Sequence, residues 1–374
     1  MNPQDIFCPN IECPARGQIG KGNITIHSQK DQRYICNECE QTFTTTKGTI
    51  FYRLHTEPKT VMLVIALLAY GCSIQAVVHA FGLDERTVRD WWKRAGKHCQ
   101  KFHEQKVEQA QLDLEQVQTD EIKAKKTKGY FWMALAIMVS TRLWLGGVVS
   151  PQRDLELIQA LTDKIKGIAL CRPLLLAVDG LASYVTAFRN SFRAAVPNWG
   201  GETGRPKLVS WPNIAIVQVV KQRQNGQLNV TRRIVQGGEV MVHSLIRTTQ
   251  GHGMINTAFI ERLNATFRQR LNCLARRTRT LVRQAQTLES GMYVIGCLYN
   301  FCDPHHSLRL KLSVGRFGYR WVQRTPAIAA GLADHIWTLP ELFNFKVPPP
   351  HWQPTYKRGR PSLATQKLVE RWCS

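Results

Sequence analysis

The chain lacks any long hydrophobic run. Its longest, Val61 to Tyr70, falls well short of the roughly 20 residues that cross a bilayer, so no membrane span is expected. No apolar stretch follows Met1-Asn-Pro-Gln-Asp5, so no secretory leader is expected and the protein is expected in the cytoplasm. Acids are also scarce: 27 Asp and Glu stand against 50 Lys and Arg, a net charge of +23. That imbalance attracts a polyanion, and without a membrane segment the polyanion it suits is nucleic acid. No internal repeat is evident. Hydrophobic residues make up 44% of 374 positions, which excludes a disordered chain and allows two or three domains.

Cysteine is plentiful, with 11 residues, but in a long chain for which no leader is expected a disulfide scaffold is not expected. Four cluster early as Cys8-x4-Cys13 and Cys36-x2-Cys39, with Tyr34, Ile35 and Phe43 available for strands around them. Two thiolate pairs on two tight turns match the tetrahedral preference of Zn²⁺. Four thiolates leave no open position, so such a metal is structural. His27 is read as exposed rather than as a ligand, and the remaining cysteines as reduced thiols.

From Pro58 to Phe102 the period is helical. Val61, Met62, Ile65 and Leu68 form one stripe ended by Gly71; Ser73 caps a second helix burying Ile74, Val77, Val78 and Phe81. After a turn at Gly82-Leu83, Asp84 caps a third helix that buries Val88, Trp92 and Ala95 and exposes Arg86, Arg89, Lys93 and Arg94. A helix, a glycine turn and a basic helix are the layout of a helix-turn-helix DNA reader. Glu104 to Gln111 reads as a helical extension or linker.

Strand patterns then take over at Leu114 to Ile122, Tyr130 to Val139 and Leu143 to Val149. Asp154 to Lys166 reads as a helix stopped by Gly167. Leu174 to Val178 reads as a strand buried on both faces and closed by Asp179. A helix follows with Tyr184, Val185, Phe188, Phe192 and Val196 inward, then a loop over 198–207 and a strand from Ile214 to Val220. Asn256 to about Arg279 reads as a helix with Ile260, Leu263, Phe267, Leu271 and Leu274 on its buried stripe. From Arg262 to Leu288 there are seven arginines and no acid. The tail from Pro348 onward reads as poorly ordered.

A hairpin, a helical crossover to a buried strand and a later helix facing the sheet describe an RNase H-like α/β core. Asp120 lies on its first strand, Asp179 at the carboxyl end of the buried strand and Glu261 on the late helix. Three acids in one pocket need cations, and two Mg²⁺ ions would serve phosphodiester chemistry. Periodicity leaves Asp120 and Glu121 as rivals, with side chains on opposite faces.

The motifs are spread along the chain. They are Tyr34-Ile-Cys-Asn-Glu-Cys39, Gly48-Thr-Ile-Phe-Tyr-Arg53, Gln118-Thr-Asp-Glu-Ile122 and Val178-Asp-Gly-Leu-Ala-Ser-Tyr184. Ile260-Glu-Arg-Leu-Asn-Ala-Thr-Phe-Arg-Gln-Arg270 and Tyr299-Asn-Phe-Cys-Asp-Pro-His-His-Ser-Leu308 complete them. Through these the whole chain resembles insertion-sequence DDE transposases of the insertion-sequence-one type, and the Glu-Arg-x-Asn-x-Thr-x-Arg string from Glu261 is the most specific match. The wide Cys8-x4-Cys13 pair departs from the family pattern.

The resemblance implies a zinc ribbon (1–54), a helix-turn-helix (55–103), an RNase H-like catalytic domain (112–308) and a C-terminal extension with a basic tail (309–374). It implies Asp120, Asp179 and Glu261 as the catalytic triad, so Asp120 rather than Glu121, holding Mg²⁺ or Mn²⁺. It implies double-stranded DNA as substrate: terminal inverted repeats, cleaved and joined to target DNA by a nucleoid-associated homo-oligomer. His305 and Ser307 match a string at the end of such cores. Arg262, Asn264 and Arg268 are expected at the DNA, and Arg358 and Arg360 resemble the centre of an AT-hook. A catalytically inactive DNA-binding regulator, or a nuclease that cuts without joining, is the alternative.

Overall fold

The computed structural model describes residues 2–196, 204–224, 227–251, 253–314, 318–354 and 359–373. The chain divides into two compact units, residues 1–60 with 340–374, and residues 61–339.

In the first unit three short strands, β1 (Ile24–Ser28), β2 (Arg33–Cys36) and β3 (Thr42–Thr44), pair antiparallel in that order. Alternation along β2 turns Tyr34 and Cys36 inward, where they meet Ile6, Ile24, Phe43 and the other early cysteines. The tail is not wholly irregular. Ser362 caps a helix, Leu363–Trp372, by accepting from the Thr365 N–H. Trp372, 2% exposed, packs into the cysteine-lined core. The sequence hid this helix because its apolar stripe is short and set among basic and proline-rich segments.

The unit boundary falls within the first turn of α1 (Pro58–Ala69), and α2 (Ile74–Phe81) and α3 (Glu85–His103) follow in the second unit. Ser73 and Asp84 cap α2 and α3 as expected, and Gly82 ends α2 in the left-handed region at φ 63°. Only Val77 of the α2 residues is fully buried; Ile74, Val78 and Phe81 are half-buried. On α3, Trp91 joins Val88, Trp92 and Ala95 inside.

The sheet strands and their helices follow in the order β4 (Gln116–Lys125), β5 (Tyr130–Met138), β6 (Trp144–Ser150), α4 (Leu155–Ile168), β7 (Leu174–Asp179) and α5 (Ala182–Ser191). Next come a side hairpin, β8 (Arg193–Val196) with β9 (Lys207–Ser210), then β10 (Ile214–Gln224), β11 (Gln227–Gln236) and α6 (Glu239–Gln250). α7 (Ala258–Arg270), α8 (Ala285–Cys297) and a hairpin of β12 (Leu310–Val314) with β13 (Gly318–Val322) follow, and two short helices, Pro326–Ala329 and Leu339–Asn344, come after them. The fold class is therefore mixed α/β, with a six-stranded sheet in the order β11-β10-β7-β4-β5-β6. β4, β5 and β6 are antiparallel neighbours, β7 lies parallel to both β4 and β10, and β11 is antiparallel to β10. Leu174 to Val178 are all buried, the pattern of a central parallel strand covered on both faces.

Several boundaries differ from expectation. α4 runs through Gly167 to Ile168. Val196 is exposed on β8, not inward on α5. The late helix stops at Arg270 rather than near Arg279, because Leu271 leaves helical space at φ −108°, ψ 103°. Continued as a helix, Arg276 and Arg279 would sit as like charges one turn apart. Instead the segment runs back along the sheet, and the Val282 N–H donates to the Lys125 carbonyl at 2.9 Å. Leu271 and Leu274 remain buried.

Candidate functional site

The strand order reverses between β4 and β7: the chain builds outward through β5 and β6, then returns to the other side of β4. Ligands in open α/β sheets gather at the carboxyl ends of strands beside such a reversal. Here a cleft of about 650 Å³ opens, lined among others by Asp120, Arg153, Asp179, Lys221, Glu261 and Arg268. The three expected acids therefore share one cleft, but not one cluster. Oxygens of Asp120, Glu121 and Asp179 lie within 4.8 Å of one another. Glu261 instead pairs with Lys221 and accepts from the Thr257 hydroxyl at 2.8 Å.

The expectation that Glu121 points away from the acids is corrected. The β4–β7 ladder ends at Gln118 opposite Ala177, so no strand flanks Asp120 and Glu121 on that side, although β5 still pairs with both, Asp120 opposite Leu135 and Glu121 opposite Ala134. Glu121 is 7% exposed. Its Oε2 accepts from Arg153 Nη2 at 2.8 Å, and the same nitrogen reaches Asp179 Oδ2 at 3.4 Å. Arg153 lies over the Trp132 ring, 5.1 Å from its centroid. Asp179 is oriented by the Leu181 N–H, which donates to Oδ1 at 2.9 Å.

One buried side chain sets α7 against β4. Gln118 Oε1 accepts from the Phe259 and Ile260 N–H groups, both at 3.0 Å, and its amide donates to the Asn256 carbonyl at 2.9 Å. Two orphan donors of the helix's first turn are thereby satisfied from the sheet. Sequence reasoning assigned Gln118 no role; a buried amide two residues before an acid, on the same face of the strand, was the available signal. Asn264 is fully buried and donates to Asp120 Oδ2 at 2.7 Å, so it orients Asp120 and does not face solvent. Arg268 lines the carboxylate cleft, whereas Arg262 opens onto a different one.

Burial, then the Glu121 charge, pushes the Asp120 carboxyl up to about 7. Burial also raises Glu121, against the opposing Arg153 charge and the Tyr184 hydroxyl. For Glu261 burial acts upward too, but Lys221 and Thr257 outweigh it and hold the carboxyl below its usual range. A pocket that raises two adjacent acids favours a cation, so the acidic triad Asp120, Glu121 and Asp179 could bind a metal.

The early cysteines meet the expectation of a cluster. Cys8 Sγ lies 3.7 Å from Cys39 Sγ, and Cys13 Sγ 3.8 Å from Cys36 Sγ; all four sulfurs lie within 4.8 Å of one another. A disulfide needs about 2.05 Å, whereas sulfurs about 2.3 Å from a central zinc are separated by about 3.8 Å along a tetrahedron's edge. The four cysteines could hold a zinc ion. Burial and the neighbouring sulfurs push the Cys8 and Cys13 thiols up, a cost that a divalent cation would remove. His27 is exposed.

On α3, Arg86 and Arg89 are exposed, but Lys93 and Arg94 are half-buried. Arg89 is engaged by Glu85 one turn earlier. Arg360 is exposed, while Arg358 lies outside the described residues. Among the described residues no helix is long and apolar enough to cross a membrane. No protein-family model matches the chain, and no curated protein matches it.

Proposed function

We propose that the chain is a DNA transposase of the insertion-sequence-one DDE type. It binds the terminal inverted repeats of its element through a zinc ribbon and a helix-turn-helix, cuts at the ends, and joins the 3′-hydroxyl to target DNA in an RNase H-like core. The observation that carries this reading is the meeting of Asp120 and Asp179 at the strand-order reversal, with Glu261 across the same cleft. An antiparallel meander followed by helical crossovers to parallel strands is the framework such a core requires. Divalent cations held by these carboxylates would activate the attacking oxygen and stabilise the leaving one.

The chain's own groups have separate tasks. Asn264 aims Asp120, and Gln118 holds α7 so that Glu261 faces the strands. Arg268 and Arg276 on the cleft wall draw in the phosphate backbone. α2, the Gly82 turn and α3 supply the helix-turn-helix, with Arg86 free to approach a groove. The four-thiolate cluster holds structural Zn²⁺.

A DNA-binding regulator without catalysis is the second reading, favoured by the Lys221–Glu261 pair, which engages the third acid. Labelled duplex carrying the sequence that flanks the gene, incubated with full-length protein and Mg²⁺, separates the readings. A transposase yields joined products, a nuclease only nicks, and a regulator binds and leaves the DNA intact. Asp179→Ala should lose cutting and joining together while keeping DNA binding; joining at the wild-type rate would sink the proposal.

A further inference from the structure

A second cleft, of about 710 Å³, opens on another flank of α7. The helix has three sectors, as its period dictates. Ile260, Leu263, Asn264 and Phe267 are buried; Glu261, Ala265 and Arg268 face the carboxylates; Arg262, Thr266 and Gln269 face the second cleft.

The charges in this second cleft do not balance. Asp303 is the one carboxylate lining it among the described residues, and it is already engaged: Arg270 Nη1 lies 2.7 Å from Oδ2, and the Tyr70 hydroxyl donates to Oδ1 at 2.7 Å. Arg142 and Arg262 line the same cleft with no acidic partner among the described residues. Arg142 lies over the Phe259 ring, its guanidinium carbon 4.0 Å from the centroid, and its Nη1 is buried without an acceptor. A buried guanidinium nitrogen lacking an acceptor is costly. Arg142 is held there by a hairpin turn with φ 62°, a conformation that itself costs a non-glycine residue about 1 kcal/mol or more. His305, pressed edge-on against Tyr299 at 4.4 Å and lowered by burial to about 4, is neutral near pH 7 and offsets neither arginine. Two planar cations lining one open cleft suit a tetrahedral oxyanion, which guanidinium binds through paired hydrogen bonds.

We propose that this cleft binds a backbone phosphate of DNA through Arg142 and Arg262, engaging a segment separate from the one at the carboxylates. This rests on the DNA-acting reading above but assigns a site that reading does not need. α7 then stands between two stretches of DNA, with the carboxylates on one side and a phosphate clamp on the other.

The test is DNA affinity of the full chain as a function of salt, followed by fluorescence anisotropy on a labelled duplex without added Mg²⁺. Arg142→Gln and Arg262→Gln should each weaken binding about three- to tenfold, and each should lower the slope of log affinity against log salt by about one, the signature of a lost phosphate contact. Arg172→Gln, which removes an exposed arginine paired with Asp113 outside both clefts, should change neither. Should Arg142→Gln fail to fold, the exposed Arg262 still carries the test. Wild-type protein that binds duplex DNA while both variants keep its affinity and slope would overturn this site alone. A loss of affinity at unchanged slope also counts against it. Wild-type protein that binds no duplex would overturn the DNA-acting reading itself.

Discussion

Glu121 and Arg153 change how the carboxylate cleft reads at the level of single residues. Arg153 bridges Glu121 and Asp179, so the acids are partly neutralised by the protein itself, and a divalent cation must compete with a guanidinium. Because Glu121 contributes an oxygen to the cluster, Glu121→Gln should weaken Mn²⁺ binding about tenfold or more, as loss of a supporting carboxylate at a metal site commonly does. Titration of Mn²⁺ followed by its paramagnetic signal checks this; unchanged affinity would return Glu121 to a packing role. His103 gives a second residue-scale prediction. It is fully buried against Trp144, its Nε2–H donates to the Leu145 carbonyl at 3.1 Å, and burial lowers it to about 3 from 6.5. Between those values the unfolded chain binds the proton and the folded one does not. The contribution is whole above about pH 6.5 and is lost as pH falls toward 3, at up to about 1.4 kcal/mol per pH unit. Urea midpoints from pH 7 to pH 4 should therefore fall, and His103→Gln should flatten that fall.

At the scale of elements, close helix packing decides which glycines matter. A Cβ on Gly96 of α3 would stand 2.3 Å from Ser290 Cβ on α8, so the two helices touch where only hydrogen fits. Gly96→Ala should lower stability by about 1–3 kcal/mol despite alanine's better helix propensity. Gly167, near the end of α4, has open space where a methyl group would sit, with no other atom within 4 Å. Gly167→Ala should therefore raise stability by roughly 0.5 kcal/mol. Thermal melts of the pair test the packing directly, and equal shifts of one sign would contradict the α3–α8 contact. The same scale explains why α7 ends at Arg270. Tertiary hydrogen bonding to β4 takes over where an uncompensated arginine run makes further helix unfavourable.

For the whole molecule, the two units draw on different sources of stability. Residues 61–339 contain the sheet and its helices. Residues 1–60 with 340–374 have a small core in which four cysteines sit among a few apolar side chains. Small cores of this kind commonly depend on a metal. Removal of zinc by a strong chelator, or Cys36→Ser, should unfold the first unit while a separate, hotter transition of the second unit persists in calorimetry. A single unchanged transition, or purified protein containing no zinc, would refute a structural metal.

Much of this was legible in the sequence because it depends on local chemistry. Paired cysteines, the caps at Ser73 and Asp84, the apolar run Leu174 to Val178 and the stripe Ile260-Leu263-Phe267 report on neighbours a few residues away. They mark the cluster, the helices and the buried strand without knowledge of the fold. Arrangements that depend on contacts across the chain were not legible. The end of the β4–β7 ladder brings Glu121 to Asp179, Gln118 docks α7 from 141 residues away, Lys221 engages Glu261, and Trp372 folds an apparently irregular tail into the cysteine core. Alternation along a strand predicts facing only while the strands on both sides continue, and beside β4 only β5 does so past Gln118; a helix's length is decided by what meets its last turn. Only the tertiary structure holds that information, because each of these contacts joins groups whose separation along the chain carries no periodic signal.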